Sequence, residues 1–472
     1  MPFVPRGFAL LTTSTLAALA LAPVSGASAA TPRIGAPDGL KATPLVVRPA
    51  QQRSAPRRAV AHAAAATPQA RAAQAAATDP RAADQWALDG DQPMGIESAW
   101  RQTTGSGVTV AIVDSGADLG HPDLVPNLWT NPGEVPGNGV DDDGNGYVDD
   151  VHGFDFVDND GTPQDANGHG THVAGIVGAR GGNGIGTAGV AWNVKLMIVR
   201  VLDANAQGTT TSVAQGIRYA VDNGARIVNL SLAGPSSTPD LESAVQYAQA
   251  RGVLVVVAAG NDGHDLASAP TYPAAYGESN VIGVAATTRT GGLSSVSDYG
   301  PGADVAAPGE EILSTALGGG YEWRTGTSMA APQVTGALAL LASVRPDLDG
   351  NGLESALFSG LRHGSLPVQN GALDVGSALH AVIPASAWKA APVAPLSSYS
   401  SSSSSAKSST AAAKKKTTTA AKKKVVKKKK LTAAQKRAAA ARKKAAAKKA
   451  AARRKRLARA RAKRLAAKRA KK

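Results

Sequence analysis

Short, nearly unbroken aliphatic runs alternate with longer stretches of helical periodicity through the middle of the chain. Residues 108–113, 194–201, 226–232, 253–258 and 281–286 are rich in Val, Ile and Leu with few polar interruptions, as expected of strands buried on both faces of a parallel sheet. Residues 211–223, 240–250, 327–344 and 353–359 predict the helices between them. Strand–helix alternation over about 300 residues predicts one α/β domain built on a parallel sheet, spanning residues 79–383. Reactive groups in such sheets gather at the carboxyl ends of the strands.

The pattern breaks down at both ends. Residues 1–30 carry Arg6, an apolar stretch from Phe8 to Leu21, Pro23 and the small-residue run Ala27–Ala30, the three parts of a secretory signal peptide cleaved after Ala29 or Ala30. The apolar stretch is interrupted by Thr and Ser and is shorter than the roughly 20 residues of a membrane span, so the expectation is a secreted, extracellular protein. Residues 31–78 hold seven bases, one acid and no aromatic residue, and predict a disordered pro-segment or linker. Residues 384–410 read as a Pro/Ser-rich linker and 411–472 as a Lys/Arg/Ala-rich disordered tail.

Charge sharpens this division. From Ser397 to Lys472 there are 30 Lys and Arg and no acid, whereas residues 79–396 carry 34 acids and 13 bases, a net −21. The overall +16 therefore describes neither part. A polycation of this kind is either an extension removed after export or a tether to an anionic cell-surface polymer, a lipid surface or a nucleic-acid backbone. All 30 bases lie from Lys407 onward with no aromatic residue among them, so base stacking has no platform. The chain has no cysteine, so an exported form must rely on core burial and bound metal for stability.

Three islands place one reactive side chain among small residues. They are Asp114 in VAIVDSG, His169 in NGHGTHVAG and Ser328 in GTSMAAPQVTG. Singly, each reads as a turn or cap residue. Together they supply what a serine nucleophile requires: His169 to take the Ser328 proton, Asp114 to orient the imidazole, and a helix N-terminus aimed at a developing oxyanion. Asn261, in the Gly-Asn-Asp-Gly turn that follows an apolar run, offers a further donor.

A fourth island is acidic. Asp141, Asp143 and Asn145 at loop positions 1, 3 and 5, Gly146 at 6, the Tyr147 carbonyl at 7 and Asp149 at 9 have the spacing of a Ca2+ loop. His152 stands at position 12, where the bidentate glutamate of an EF-hand would be. An acidic surface loop is the simpler alternative, but so many carboxylates repel one another without a cation.

The Asp, His and Ser blocks, in that order, resemble the subtilisin-like serine proteases, and His172 and Pro332 extend the match. The resemblance implies a three-layer fold with a central parallel sheet, a monomer, an endopeptidase acting on proteins and peptides, Asp114, His169 and Ser328 as the triad, and Asn261 as oxyanion donor. It further implies that Ser231-Leu232-Ala233 and Ala258-Ala259-Gly260 wall the first specificity pocket, with Thr271 near its floor. Gly208 would lie on the edge that pairs with an extended substrate. Ala233 and Thr271 are larger than the residues common at those positions, so a pocket for small to medium apolar side chains is expected. A second Ca2+ site is implied at Asp123, Asn183 and the carbonyls of Ile185 and Thr187, with Asp79 as an added ligand. The rival reading is a polyanion-binding envelope protein on the same scaffold, with the basic tail as its functional element.

Overall fold

The computed structural model describes the backbone of residues 44–46 and residues 79–88 and 94–388. Residues 1–30, read above as a signal peptide, most of residues 31–78, read as a pro-segment or linker, and the basic tail lie outside the described residues. The strands are β1 (Pro44–Val46), β2 (Thr109–Asp114), β3 (Gly153–Asp155), β4 (Lys195–Arg200), β5 (Gln207–Thr209), β6 (Ile227–Leu230), β7 (Leu254–Ala258), β8 (Val281–Thr287), β9 (Val305–Pro308), β10 (Ile312–Ala316), β11 (Gly320–Arg324) and β12 (Gly371–Ala372). The α-helices are α1 (Ile96–Trp100), α2 (His169–Gly178), α3 (Thr210–Asp222), α4 (Pro239–Gln249), α5 (Thr327–Val344), α6 (Gly350–Ser359) and α7 (Val375–Val382).

Eight strands form one parallel sheet in the order β12-β9-β8-β7-β6-β2-β4-β3. Successive side chains of a strand point to opposite faces, and two cores result. Val110, Ile112, Leu196, Ile198, Leu254 and Val256 pack with α2, α5, α6 and α7 on one side. Ala111, Val113, Met197, Val199, Val255 and Val257 pack with α3 and α4 on the other. Each buried aliphatic side chain contributes about 1.5–3 kcal/mol, and burial on both faces explains why these strands read as unbroken apolar runs. The three-layer α/β expectation is met.

Helix α5 runs through the larger core, with every residue from Thr327 to Ala342 buried. Its length and hydropathy would suit a membrane span, yet 89% of it is enclosed by the protein. Its small residues allow close approach to its neighbours: a Cβ at Gly336 would meet the Val190 side chain at 2.5 Å. Thr209 and Thr238 cap α3 and α4, each side chain accepting an N–H three residues on.

Several elements have no apolar run to announce them. β3 and β12 are edge strands of three and two residues, and β9 ends in proline. β10 and β11 form a separate antiparallel hairpin leading into α5. Within the pro-segment, Pro44–Val46 adds an antiparallel strand to β5, with Leu45 opposite Gly208.

Candidate active site

Asp114 ends β2 in the middle of the sheet, fully buried, where the chain leaves the strand ladder. His169 opens α2 directly after Gly168, whose φ of +102° allows the abrupt entry. His169 Nδ1 lies 2.8 Å from Asp114 Oδ1. Ionised carboxylate oxygens only accept, so Nδ1 carries the proton and Nε2 is left as the acceptor. That Nε2 is buried without a hydrogen-bond partner.

Ser328 is the second residue of α5. Its hydroxyl donates to the Ser231 carbonyl at 3.0 Å rather than to His169. Hydrogen bonds between such groups commonly tighten only with substrate in place. Pro332 has no N–H to offer the Ser328 carbonyl one turn earlier, and the Ser231 hydroxyl donates to that carbonyl instead at 2.9 Å. Ser231 and Ser328 are thereby tied reciprocally.

Asn261 follows β7 on the loop that leaves the sheet at Gly260. Its side-chain Oδ1 accepts from Thr327 N–H at 2.8 Å and the Thr327 hydroxyl at 3.0 Å. With the amide oxygen fixed on α5, the NH2 group is turned the other way.

The residues expected to wall the specificity pocket come together. Ser231 and Leu232 are buried, as are Ala258, Ala259 and Gly260, while Ala233 is half-buried. Thr271 Oγ1 donates to the Ala259 carbonyl at 2.5 Å, and Gly234 exchanges backbone hydrogen bonds with Tyr272, so one segment closes against both walls. Gly208 lies on β5, whose edge is taken by β1.

Asp165 is a member that sequence reading did not single out. Its Oδ1 accepts from Asn167 N–H, Gly168 N–H and the Ser115 hydroxyl, and its Oδ2 from Thr171 N–H and hydroxyl. It thus caps the turn carrying His169 and ties it to the residue after Asp114. An acid just ahead of a glycine and a helix start was the available signal.

His172, on the same helix, donates its Nε2–H to the Glu322 carbonyl at 3.1 Å. Burial, followed by the Arg324 guanidinium, lowers its pKa from 6.5 to about 3. The unfolded chain therefore takes up a proton that the folded chain refuses between these values, so stability falls as pH drops through that window. The slope from this group is at most about 1.4 kcal/mol per pH unit. His172→Gln is expected to flatten the acid limb of Tm against pH; an unchanged limb would show that other groups set it.

The acidic loop is arranged differently from its spacing. Carboxylate oxygens of Glu134, Asp141 and Asp143 lie within 4.8 Å of one another, compatible with shared ligation of a cation at about 2.3–2.6 Å. Glu134 Oε2 is buried without a partner. Asn145 contacts Asp143 and Asp150 through Nδ2 at 3.2 and 3.1 Å. Asp149, expected as a ligand, instead accepts the N–H groups of residues 137, 138 and 139. The Tyr147 ring packs against Phe154, Phe156 and Tyr219, and the Tyr219 hydroxyl donates to Asp150 at 2.5 Å, joining the loop to α3.

The second group also assembles. Asp79 accepts the N–H groups of residues 182, 183 and 184, and burial raises its carboxyl above the usual range. Asp123 accepts from Asn183 Nδ2, Thr187 N–H and the Tyr321 hydroxyl at 2.9, 3.1 and 2.7 Å. Ile185 N–H donates to Asn183 Oδ1. The all-oxygen donor sets of both groups suit a hard cation such as Ca2+.

Comparison with known proteins agrees with this geometry. The family described as the subtilase family matches residues 105–376. Thermitase from Thermoactinomyces vulgaris is 46% identical over 254 residues, covering 54% of this chain and 81% of that protein. Subtilisin BL from Lederbergia lenta is 43% identical over 246 residues, covering 52% and 80%. A solved protease structure from Pseudoalteromonas arctica PAMC 21717 aligns with a TM-score of 0.55 at 32% identity, covering 65% of this chain and 99% of that one.

Proposed function

Because the chain belongs to the subtilase family and is a subtilisin-like serine protease, we propose that it is a secreted endopeptidase that cleaves proteins through an acyl-enzyme on Ser328. The observation that carries the assignment of roles is the buried Asp114–His169 pair, its Nε2 unpartnered, on a helix packed against the one that carries Ser328. Ser328 Oγ attacks the scissile carbonyl carbon while its proton passes to His169 Nε2. Asp114 holds the imidazole and stabilises the cation formed. The carbonyl oxygen, now anionic, is held by the Asn261 amide and the Ser328 N–H at the start of α5, the Thr327 N–H being already engaged by Asn261 Oδ1. Collapse of the tetrahedral species breaks the C–N bond, and His169 returns the proton to the leaving amine. Water, deprotonated by the same imidazole, then releases the acyl group and restores Ser328.

The substrate lies extended along β5 as an added strand. The antiparallel seat of Leu45 on Gly208 supports this, since that edge already accepts a strand. Thr271 and Ala233 narrow the first pocket toward small to medium apolar side chains. Ca2+ is the resident structural cation, held by Glu134, Asp141 and Asp143 with Asn145 beside them, and at a second site by Asp79, Asp123 and the 183–187 loop. When bound it supplies charge neutralisation for clustered carboxylates; catalysis needs no cofactor. The +30 tail tethers the enzyme to an anionic surface.

Intact masses of wild type and Ser328→Ala from culture medium test the account. Wild type is expected to have lost the segment before Asp79, with Ser328→Ala retaining it beyond the signal peptide. Identical trimming of both would assign maturation to another protease, and retention of both in the cell would reject export.

A further inference from the structure

We infer that Asp298 is a positioning residue for the oxyanion donor, clamping the loop on both sides of Asn261. The inference rests on the role of Asn261 proposed above. Asp298 lies on the loop between β8 and β9, buried to 1% exposure. Its Oδ1 accepts the N–H of Asp262 at 3.0 Å and of His264 at 2.8 Å, both beyond Asn261. Its own N–H donates to the carbonyl of Gly260, immediately before Asn261, at 3.0 Å. One residue therefore fixes the backbone on either side of the donor, while Thr327 fixes the donor's side-chain oxygen from α5.

The packing shows how closely the carboxyl is fitted. Asp298 Oδ2 is buried without a hydrogen-bond partner and lies 2.0 Å from where a Cβ on residue 260 would sit. Only glycine at 260, here at φ +125°, leaves room for it. Burial raises the carboxyl above its usual range, opposed by the two loop N–H bonds, with Asp262 and His264 as the neighbouring titratable groups. A buried carboxylate costs stability unless its hydrogen bonds repay it, and here those bonds go to the loop that carries the donor. Geometry at an oxyanion site is demanding, a misplacement of about 1 Å costing on the order of 100-fold in rate.

The test is kcat and KM on a peptide substrate, with inhibition by a peptide boronate that mimics the tetrahedral adduct, for Asp298→Ala, Asp298→Asn, Asn261→Ala and the double variant Asp298→Ala/Asn261→Ala. Asp298→Ala is expected to lower kcat about 10- to 100-fold with KM unchanged, and to weaken the boronate in parallel. Asp298→Asn keeps an oxygen for both N–H groups and is expected to restore kcat to within about 3-fold. In the Asn261→Ala background, Asp298→Ala should cost nothing further, because it acts through that amide. Losses that multiply in the double variant, or a lowered Tm with kcat intact, would overturn the inference while leaving the oxyanion role of Asn261 standing. An Asn261→Ala enzyme with unchanged kcat would instead remove the reading on which it rests. If Asp298→Ala does not accumulate folded, Asp298→Ser, too short to span both N–H groups, takes its place with the same expectations.

Discussion

Ser328→Ala is expected to lower kcat by about 10⁶-fold, the size known for the nucleophile of subtilisin itself and carried over from that relative. The fold should be untouched. The lost hydroxyl makes one hydrogen bond, to the Ser231 carbonyl, while the Ser328 carbonyl keeps its bond from the Ser231 hydroxyl. His169→Ala should cost about as much, and removing both should cost little more than either, because base and nucleophile act as a unit. The residual rate reports the Asn261 amide and substrate binding, which both survive. Steady-state kinetics beside circular dichroism separate this from misfolding. Activity within tenfold of wild type in folded Ser328→Ala would mean that another group is the nucleophile.

Removing calcium is expected to have the second-largest effect. Bound at 100–1,000 times its dissociation constant, one ion stabilises the folded state by about 3–4 kcal/mol. Losing that from a domain of this size lowers Tm on the order of 10 °C. A chelator should therefore accelerate thermal inactivation, with recovery on added Ca2+ and less on Mg2+, which demands near-ideal octahedral geometry and sheds its waters reluctantly. Glu134→Gln should reproduce much of the loss because its buried Oε2 faces the carboxylate cluster without a partner. Asp149→Asn should matter less to ion affinity, since Asp149 serves the 137–139 turn. A Tm indifferent to chelator would dismiss the cation from both loops.

What the sequence disclosed follows the physics of each element. β2, β4, β6, β7 and β8 are buried on both faces, so their runs are apolar throughout and their positions could be read directly. β10 (ILSTA) and β11 (GYEWR) mix polar residues with only two large aliphatic ones, Ile312 and Leu313, and pair only with each other, which leaves no such signature. Asp114, His169 and Ser328 stood out because small residues surround each of them. Glu134 did not, since it lies seven residues before the Asp141 repeat and reaches the cluster only when the loop closes. Asp165 and Asp298 accept backbone N–H groups, a role that any turn aspartate can fill, so Asp165 had only its place ahead of a glycine and a helix start to mark it and Asp298 had no mark in the sequence.

The most direct test of the central claim is covalent labelling with a sulfonyl fluoride or fluorophosphonate, followed by intact and peptide mass analysis. One adduct per chain is expected, on Ser328, with labelling strongly slowed in His169→Ala and absent in Ser328→Ala. Label on another residue, or none on folded wild-type protein, would contradict the assignment of Asp114, His169 and Ser328 as the proteolytic machinery.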